Sequence, residues 1–182
     1  MPAGARASPN AICMANLSNR LAELGQRETA ADMARQALMM QQRMLGPEHP
    51  DTLTSVANFS NRLAELGQRE AAADMARQAL ELRQRVLGPE HPRTLTSLAN
   101  LSNRLAELGQ RETAVDMARQ ALALRQRVLE PEHPETVSSM HNLSNWLAAV
   151  GQHASAADMA RQALALRQRV LGPEHVETVR AA

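Results

Sequence analysis

Two asparagines that lie three positions apart recur along this chain, and their side chains are well suited to binding a ligand. Residues with this spacing share one face of a helix, and a carboxamide has both a hydrogen-bond donor and an acceptor. Such a side chain can pair with a peptide unit, in place of a neighbouring strand. One hydrogen bond contributes only about 0.5–1.5 kcal/mol net, so binding would need several copies acting together. The asparagines are Asn16 and Asn19, Asn58 and Asn61, Asn100 and Asn103, and Asn142 and Asn145.

Charged residues flank these asparagines in three copies. The glutamates are Glu23, Glu65 and Glu107, and the arginines are Arg20, Arg62 and Arg104. The glutamates would make one edge of the binding surface acidic, whereas the arginines lie about 100° further round the helix. In the fourth copy Trp146 and Ala149 replace the arginine and the glutamate. The pattern predicts a surface of mixed charge, although the asparagines could instead bond to neighbouring helices or be duplicated without a role.

Four histidines precede predicted helices at a regular interval and could suggest a metal site. They are His49, His91, His133 and His175. A zinc–nitrogen bond is about 2.0–2.1 Å long, whereas packed helices of successive repeats would hold these residues on the order of 10 Å apart. They therefore cannot share one ion. We interpret them as loop histidines that order the turn before a helix, and we expect no metal and no cofactor.

The spacing of these residues follows a period of 42, as in the series Gly25, Gly67, Gly109 and Gly151. A fixed period of this length is typical of a solenoid, and stacked repeats form an extended binding surface. A second marker is the string Gly-Pro-Glu-His-Pro, which precedes a threonine. Its copies are Gly46–Pro50, Gly88–Pro92, the variant Glu130–Pro134, and Gly172–His175.

One period is predicted to hold two antiparallel helices. Pro50 suits a first helical turn, and apolar residues follow it at spacings of three and four until Gly67, which can end a helix. This predicts an amphipathic helix, helix A. A second one, helix B, is predicted from about Arg69 to Gly88. The core side of the first helix A is predicted to hold Leu17, Leu21 and Leu24.

Helix B carries two further stripes at the same period. Arg77, Arg83 and Arg85 could form a basic stripe, but the acidic residues between them favour an ordinary solvated face. The methionines are predicted to pack in the core. They are Met33, Met75, Met117 and Met159.

Three segments of the second period resemble the tetratricopeptide repeat, in the 42-residue subtype of kinesin light chains. They are Asn58–Gly67, Ala73–Leu80 and Arg85–Thr94. The resemblance extends from about Ser8 to Thr178. It implies that helix A lines a concave groove and that the asparagines, at the family's matching positions, hold the backbone of a bound peptide.

We therefore predict an all-α solenoid of four stacked helix-turn-helix repeats in a right-handed superhelix, with a truncated fifth helix. Residues 1–7 are predicted to be a disordered tail, and Ser8 to cap the helix that begins at Pro9. The array is predicted at 8–171, and an incomplete fifth repeat at 173–182. The repeats are predicted at about 8–46, 50–88, 92–130 and 134–172. An uncapped last repeat would be typical of a fragment, or of an array that another molecule completes.

Composition argues against several functional classes. The formal net charge is +1 and all 20 basic residues are arginine, so we expect no nucleic-acid or membrane partner and no catalytic lysine. The chain has one Phe, one Trp and no Tyr, too few for base stacking. A single cysteine, Cys13, and the absence of an apolar leader favour a cytoplasmic location. The sequence has no Gly-x-Ser-x-Gly, no His-Glu-x-x-His and no phosphate-binding loop.

The predicted function is a non-enzymatic protein-interaction module that binds an extended peptide in the asparagine-lined groove. A second hypothesis is a structural scaffold whose uncapped ends associate end to end. A third is a regulatory repeat region of a larger signalling protein.

Overall fold

The computed structural model describes residues 9–171, which form eight α-helices and no strand. The helices are α1 (Pro9–Glu23), α2 (Arg27–Leu45), α3 (Pro50–Glu65), α4 (Arg69–Leu87), α5 (Pro92–Glu107), α6 (Arg111–Val128), α7 (Pro134–Ala149) and α8 (His153–Leu171). The odd-numbered helices are helix A of the four repeats, and the even-numbered helices are helix B. The predicted all-α helical repeat solenoid is confirmed.

A glycine ends each helix A in left-handed backbone. At Gly109 φ is +83°, and its N–H donates to the carbonyl of Ala106 at 2.9 Å. The next N–H, of Gln110, reaches back to Leu105 at 2.9 Å. These two bonds satisfy carbonyls that the helix end leaves free, as in a Schellman motif. The predicted helix starts of the second repeat are also confirmed, because α3 begins at Pro50 and α4 begins at Arg69.

A histidine caps helix A in the last three of these repeats. The Nδ1 atom of His133 accepts a hydrogen bond from the N–H of Glu135 at 3.2 Å, and His49 and His91 make the equivalent bond. The proline that follows needs no N–H partner at the first helical position. The predicted turn-ordering role is confirmed for these three histidines. His175, the Ser8 cap and the fifth helix lie outside the described residues.

The chain forms two compact units, divided between Pro89 and Glu90. In the first unit, Leu38 of α2, Val56 of α3 and Ala79 of α4 form a buried cluster against which Met75 packs. In the second unit, a larger cluster joins α6, α7 and α8, and Met159 packs against it. The prediction of core methionines is therefore confirmed for Met75 and Met159.

A buried hydroxyl joins helix A to helix B in three repeats. The hydroxyl of Ser102 donates to the carbonyl of Ala114 at 2.8 Å, and Ser18 and Ser60 make the equivalent bonds at 2.7 and 2.8 Å. In the fourth repeat Ser144 instead donates within its own helix, to the carbonyl of His141 at 2.7 Å. The α7–α8 hairpin therefore lacks this link.

The predicted core position of Leu17 and Leu24 is wrong, because both side chains are exposed. Leu17 is 49% exposed, whereas its equivalent in α7, Leu143, is 2% exposed. The difference has a physical cause: α7 packs against α6 of the preceding repeat. Within residues 9–171 no helix precedes α1. Leu21 is half-buried.

The predicted solvated face of helix B is also wrong in part. Arg77 and Arg85 are exposed, but Arg83 and its equivalent Arg125 are each only 5% exposed. Arg83 donates to the carbonyl of Leu53 at 3.3 Å. A charged group can be buried when hydrogen bonds replace its water, and such partners for helix B lie on the adjacent A helices.

Arg125 joins three helices of the second unit. From α6 it donates to Thr96 of α5 at 3.3 Å, and to the carboxylate of Glu135 in α7 at 3.1 Å. It also donates to the hydroxyl of Ser139. Burial lowers the pKa of Arg125, and the nearby charge of Glu135 opposes that shift. The arginine is therefore part of the packing between two repeats rather than of a basic surface.

Candidate functional site

The eight predicted asparagines lie on helix A of the four described repeats, and together they are called here the asparagine face. Two pairs lie in each compact unit. The spacing of three places both members of a pair on one side of the helix. The half-buried asparagines are Asn58, Asn61, Asn100, Asn103 and Asn142. The exposed ones are Asn16, Asn19 and Asn145.

These carboxamides have almost no partners in the part of the chain that the structure describes. Only Asn145 has one, because its Nδ2 atom lies 3.4 Å from Nε2 of His141. The alternative in which the asparagines bond to neighbouring helices is therefore not observed there. Their donors and acceptors are available for a ligand.

The second unit brings asparagines of two repeats to one small cleft. Asn103 of α5 and Asn142 of α7 both line it. The remaining wall consists of small side chains, which permit close approach of another main chain. They are Ala99, Ser102, Ala118, Ala121 and Ser139.

The three predicted groove glutamates form ion pairs within their own helices. Glu107 contacts Arg104 at 3.1 Å. Glu23 and Glu65 contact Arg20 and Arg62 at 2.9 and 3.0 Å, respectively. Opposite charges so close compensate each other. The edge is therefore less acidic than the glutamates alone would make it.

Side chains that could bind a metal ion are not clustered within residues 9–171. The structure has no set of three histidine, cysteine, aspartate or glutamate residues there that could hold an ion. Cys13 is exposed. In the same range, no helix is long and apolar enough to cross a membrane.

Family models described as Tetratricopeptide repeat match most of the chain. One matches residues 11–51 and 52–93, and another matches residues 77–127 and 106–169. This chain belongs to the tetratricopeptide repeat family. No curated protein matches the sequence of this tetratricopeptide repeat protein.

Solved structures place this tetratricopeptide repeat protein with the kinesin-light-chain-like type. It resembles two crystal structures of nearly identical kinesin-light-chain TPR-like repeats from Podosopora anserina. Each of these structures is 27% identical in sequence to this chain, and the TM-scores are 0.82 and 0.80. Each match covers 93% of this chain and 80% of the solved chain. The fold is also similar to BtubC (BKLC) from P. vanneervenii, which is 23% identical with a TM-score of 0.79. That match covers 89% of this chain and 65% of the other. Tetratricopeptide repeats generally mediate protein–protein interaction or scaffolding.

The fourth repeat of the tetratricopeptide repeat protein differs from the others on this side of helix A. Trp146 stands where α5 has Arg104, and Ala149 stands where it has Glu107. The indole packs partly against the core of the second unit, and its buried N–H has no partner among the described residues. This repeat therefore replaces an ion pair with a large apolar ring.

Sequence reasoning missed two serines that line the cleft, one of which, Ser139, also contacts Arg125. Ser102 and Ser139 lie on α5 and α7 and are buried. Serine recurs at the positions of Ser97 and Ser139, and at those of Ser60 and Ser102, at the period of the repeat. A small polar residue repeated on an apolar helix face was the signal that could have identified them.

Proposed function

We propose that this tetratricopeptide repeat protein is a non-enzymatic interaction module that binds an extended peptide along the asparagine face. The supporting observation is that the carboxamides on α1, α3, α5 and α7, except that of Asn145, have no hydrogen-bond partner within residues 9–171. A carboxamide can donate to a peptide carbonyl and accept from a peptide N–H at once. It does not exchange protons near neutral pH, which suits binding rather than catalysis.

The proposed ligand is recognised mainly through its backbone. Packed helices lie about 8–10 Å apart and an extended chain rises about 3.3 Å per residue, so one repeat spans about three ligand residues. The ion-paired glutamates leave little net charge along the edge. Binding then requires the sum of several weak hydrogen bonds, each contributing about 0.5–1.5 kcal/mol.

A peptide-display selection tests this proposal. We expect the wild-type chain to enrich extended peptides, and a variant with Asn58, Asn61, Asn100 and Asn103 changed to Ala to lose them. Circular dichroism must show that the variant is equally helical. Failure to enrich any peptide, or enrichment that the four changes leave intact, would contradict the proposal.

A matched control removes the same type of side-chain group from helix B of the same two repeats. Four exposed glutamines of helix B are changed to Ala, which removes as many carboxamides from another surface. They are Gln78, Gln84, Gln120 and Gln126. We expect this variant to bind peptide like the wild type, because the four glutamines lie outside the asparagine face.

A further inference from the structure

One position beside the asparagine face differs in the fourth repeat. The fourth repeat has His141 there, and this side chain is half-buried on α7. Because His141 lies four positions before Asn145, the two side chains are neighbours on one side of the helix. The first three repeats have alanine at the same position, at Ala15, Ala57 and Ala99.

His141 contacts the carboxamide of Asn145. Nε2 of the imidazole lies 3.4 Å from Nδ2 of Asn145. An amide nitrogen can only donate, so Nε2 accepts and the proton of the neutral imidazole is on Nδ1. One hydrogen of Nδ2 is used in this contact, while its second hydrogen and the Oδ1 atom are available. These two groups can pair with a carbonyl and an N–H of a bound peptide.

Protonation of the imidazole reverses the direction in which this contact can form. Both ring nitrogens of a charged imidazole are donors, so Nε2 can no longer accept from Nδ2. The carboxamide has to turn and offer Oδ1 to the imidazole instead. This turn exchanges the donor and the acceptor that Asn145 presents to a ligand. Imidazole is the side chain that ordinarily changes charge between about pH 5 and about pH 8.

The described charged residues around α7 form no ion pair with His141. This helix packs against α6 and α8 and shares the small cleft with α5. Since no ion pair within residues 9–171 includes His141, no carboxylate there fixes its charge. Most charged residues of these helices pair elsewhere, namely Arg104 with Glu107, Arg119 with Asp116, Arg125 with Glu135, Arg127 with Glu90, Arg161 with Asp158 and Arg169 with Glu132. The remaining charged or titratable ones are Arg93, Arg111, Glu112, His153 and Arg167.

We propose that His141 is a positioning residue for Asn145 and makes peptide binding by the fourth repeat dependent on pH. The neutral imidazole holds the carboxamide in the orientation that fits the ligand. Once His141 is charged, the same ligand meets a donor where it needs an acceptor. The first three repeats lack this control because they have alanine at this position. The inference rests on the proposed function, since it concerns how the asparagine face binds a peptide.

NMR of the full chain without ligand tests the positioning. We expect the side-chain N–H resonances of Asn145 to shift on acidification with the same midpoint as the ring of His141, and the neutral ring to be protonated on Nδ1. His141→Ala is expected to abolish the shift of Asn145. Asn103 is the internal control, because Ala99 precedes it by four positions. Asn145 resonances that do not follow His141, or a neutral ring protonated on Nε2, would overturn the proposal.

Titration calorimetry tests the effect on binding. The probe is a display-selected peptide, enriched at about pH 8, whose affinity Asn145→Ala lowers. We expect the wild type to bind it about two- to tenfold more weakly at about pH 5, the effect of one hydrogen bond. His141→Ala is expected to lack this loss. His141→Gln is expected to bind like the wild type at the higher pH and to keep that affinity on acidification, because a glutamine carbonyl accepts from Nδ2 and does not titrate.

The matched control is His153→Ala, which removes an exposed histidine of the same repeat outside the asparagine face. This variant is expected to keep the pH dependence of the wild type. Equal pH dependence of the wild type and His141→Ala would overturn the proposal.

Failure of this inference can be distinguished from failure of the proposed function. If peptides are enriched but none depends on Asn145, the role of His141 is overturned, whereas peptide binding stands on the other repeats. If no peptide is enriched, the proposed function is contradicted, and the NMR titration still decides whether His141 sets the orientation of Asn145.

Discussion

At the residue scale, Arg125 shows how a charged side chain stabilises a junction between repeats. It is 5% exposed, yet its guanidinium donates to groups on both neighbouring A helices. Its equivalent in the first repeat, Gln41, is also buried, and the side-chain carbonyl of Gln41 has no partner within residues 9–171. Both the charge and the hydrogen bonds at this buried position therefore differ between the first and the third repeat.

A double-mutant cycle is expected to distinguish the half-buried pair of Arg125 with Glu135, whose side chains are 6% and 43% exposed, from a surface pair. The coupling energy of Arg125→Met with Glu135→Gln is expected to be about 1–2 kcal/mol, because the arginine is desolvated. That of Arg127→Met with Glu90→Gln is expected to be below about 1 kcal/mol, because both side chains are exposed. Urea denaturation measures both, and equal couplings would contradict the argument.

Asn103 is expected to contribute little to folding. Its carboxamide has no hydrogen-bond partner in the described chain, so Asn103→Ala is expected to change the free energy of unfolding by less than about 0.5 kcal/mol. Ser102→Ala, next to it, removes the buried bond to the carbonyl of Ala114 and is expected to cost about 1–2 kcal/mol. A larger loss for Asn103 than for Ser102 would indicate a structural asparagine.

At the element scale, the turn between helix A and helix B depends on backbone conformation alone. At Gly109 φ is +83°, and a Cβ built there meets no atom within 4 Å. Gly109→Ala is therefore expected to cost about 1–2 kcal/mol through strain rather than collision. Gly109→Asn is expected to cost less, because asparagine tolerates left-handed backbone. Thermal denaturation compares the two, and equal losses would show that space is limiting.

The helices of this chain could be predicted from sequence because their ends carry local signals. Pro50 and Gly67 act through their own backbone, and α3 and its turn occur where they predict. The environments of Arg83 and Leu17 could not be predicted from local signals, because each depends on a neighbouring helix. The peptide-binding role of the asparagines and the cytoplasmic location stay predictions.

At the scale of the whole molecule, the array is expected to tolerate the loss of one complete period. Removal of residues 92–133, which is 42 residues, joins His91 to Pro134 and recreates the cap and proline of a native junction. The shorter chain is expected to keep its ellipticity per residue and to melt at a lower temperature, because a repeat and its nearest-neighbour contacts are lost. Circular dichroism measures both quantities.

A deletion of half a period is the control for this prediction. Removal of residues 92–112 takes away α5 and its turn, so that two B helices follow each other. This variant is expected to lose helix or aggregate, because the apolar face of α6 loses its partner α5. If both deletions behaved alike, the period would not be the unit of folding.

The changed hydrogen bond of Ser144 has a mechanical consequence. In three hairpins a buried hydroxyl pins helix A to helix B, whereas in the α7–α8 hairpin it bonds within its own helix. The α7–α8 hairpin therefore has one buried hydrogen bond fewer to resist shear between its two helices, and packing contacts lose strength within a fraction of an ångström. A chain pulled from its two termini is therefore expected to rupture first at this hairpin among the four described, so that the array has a built-in weak point under tension.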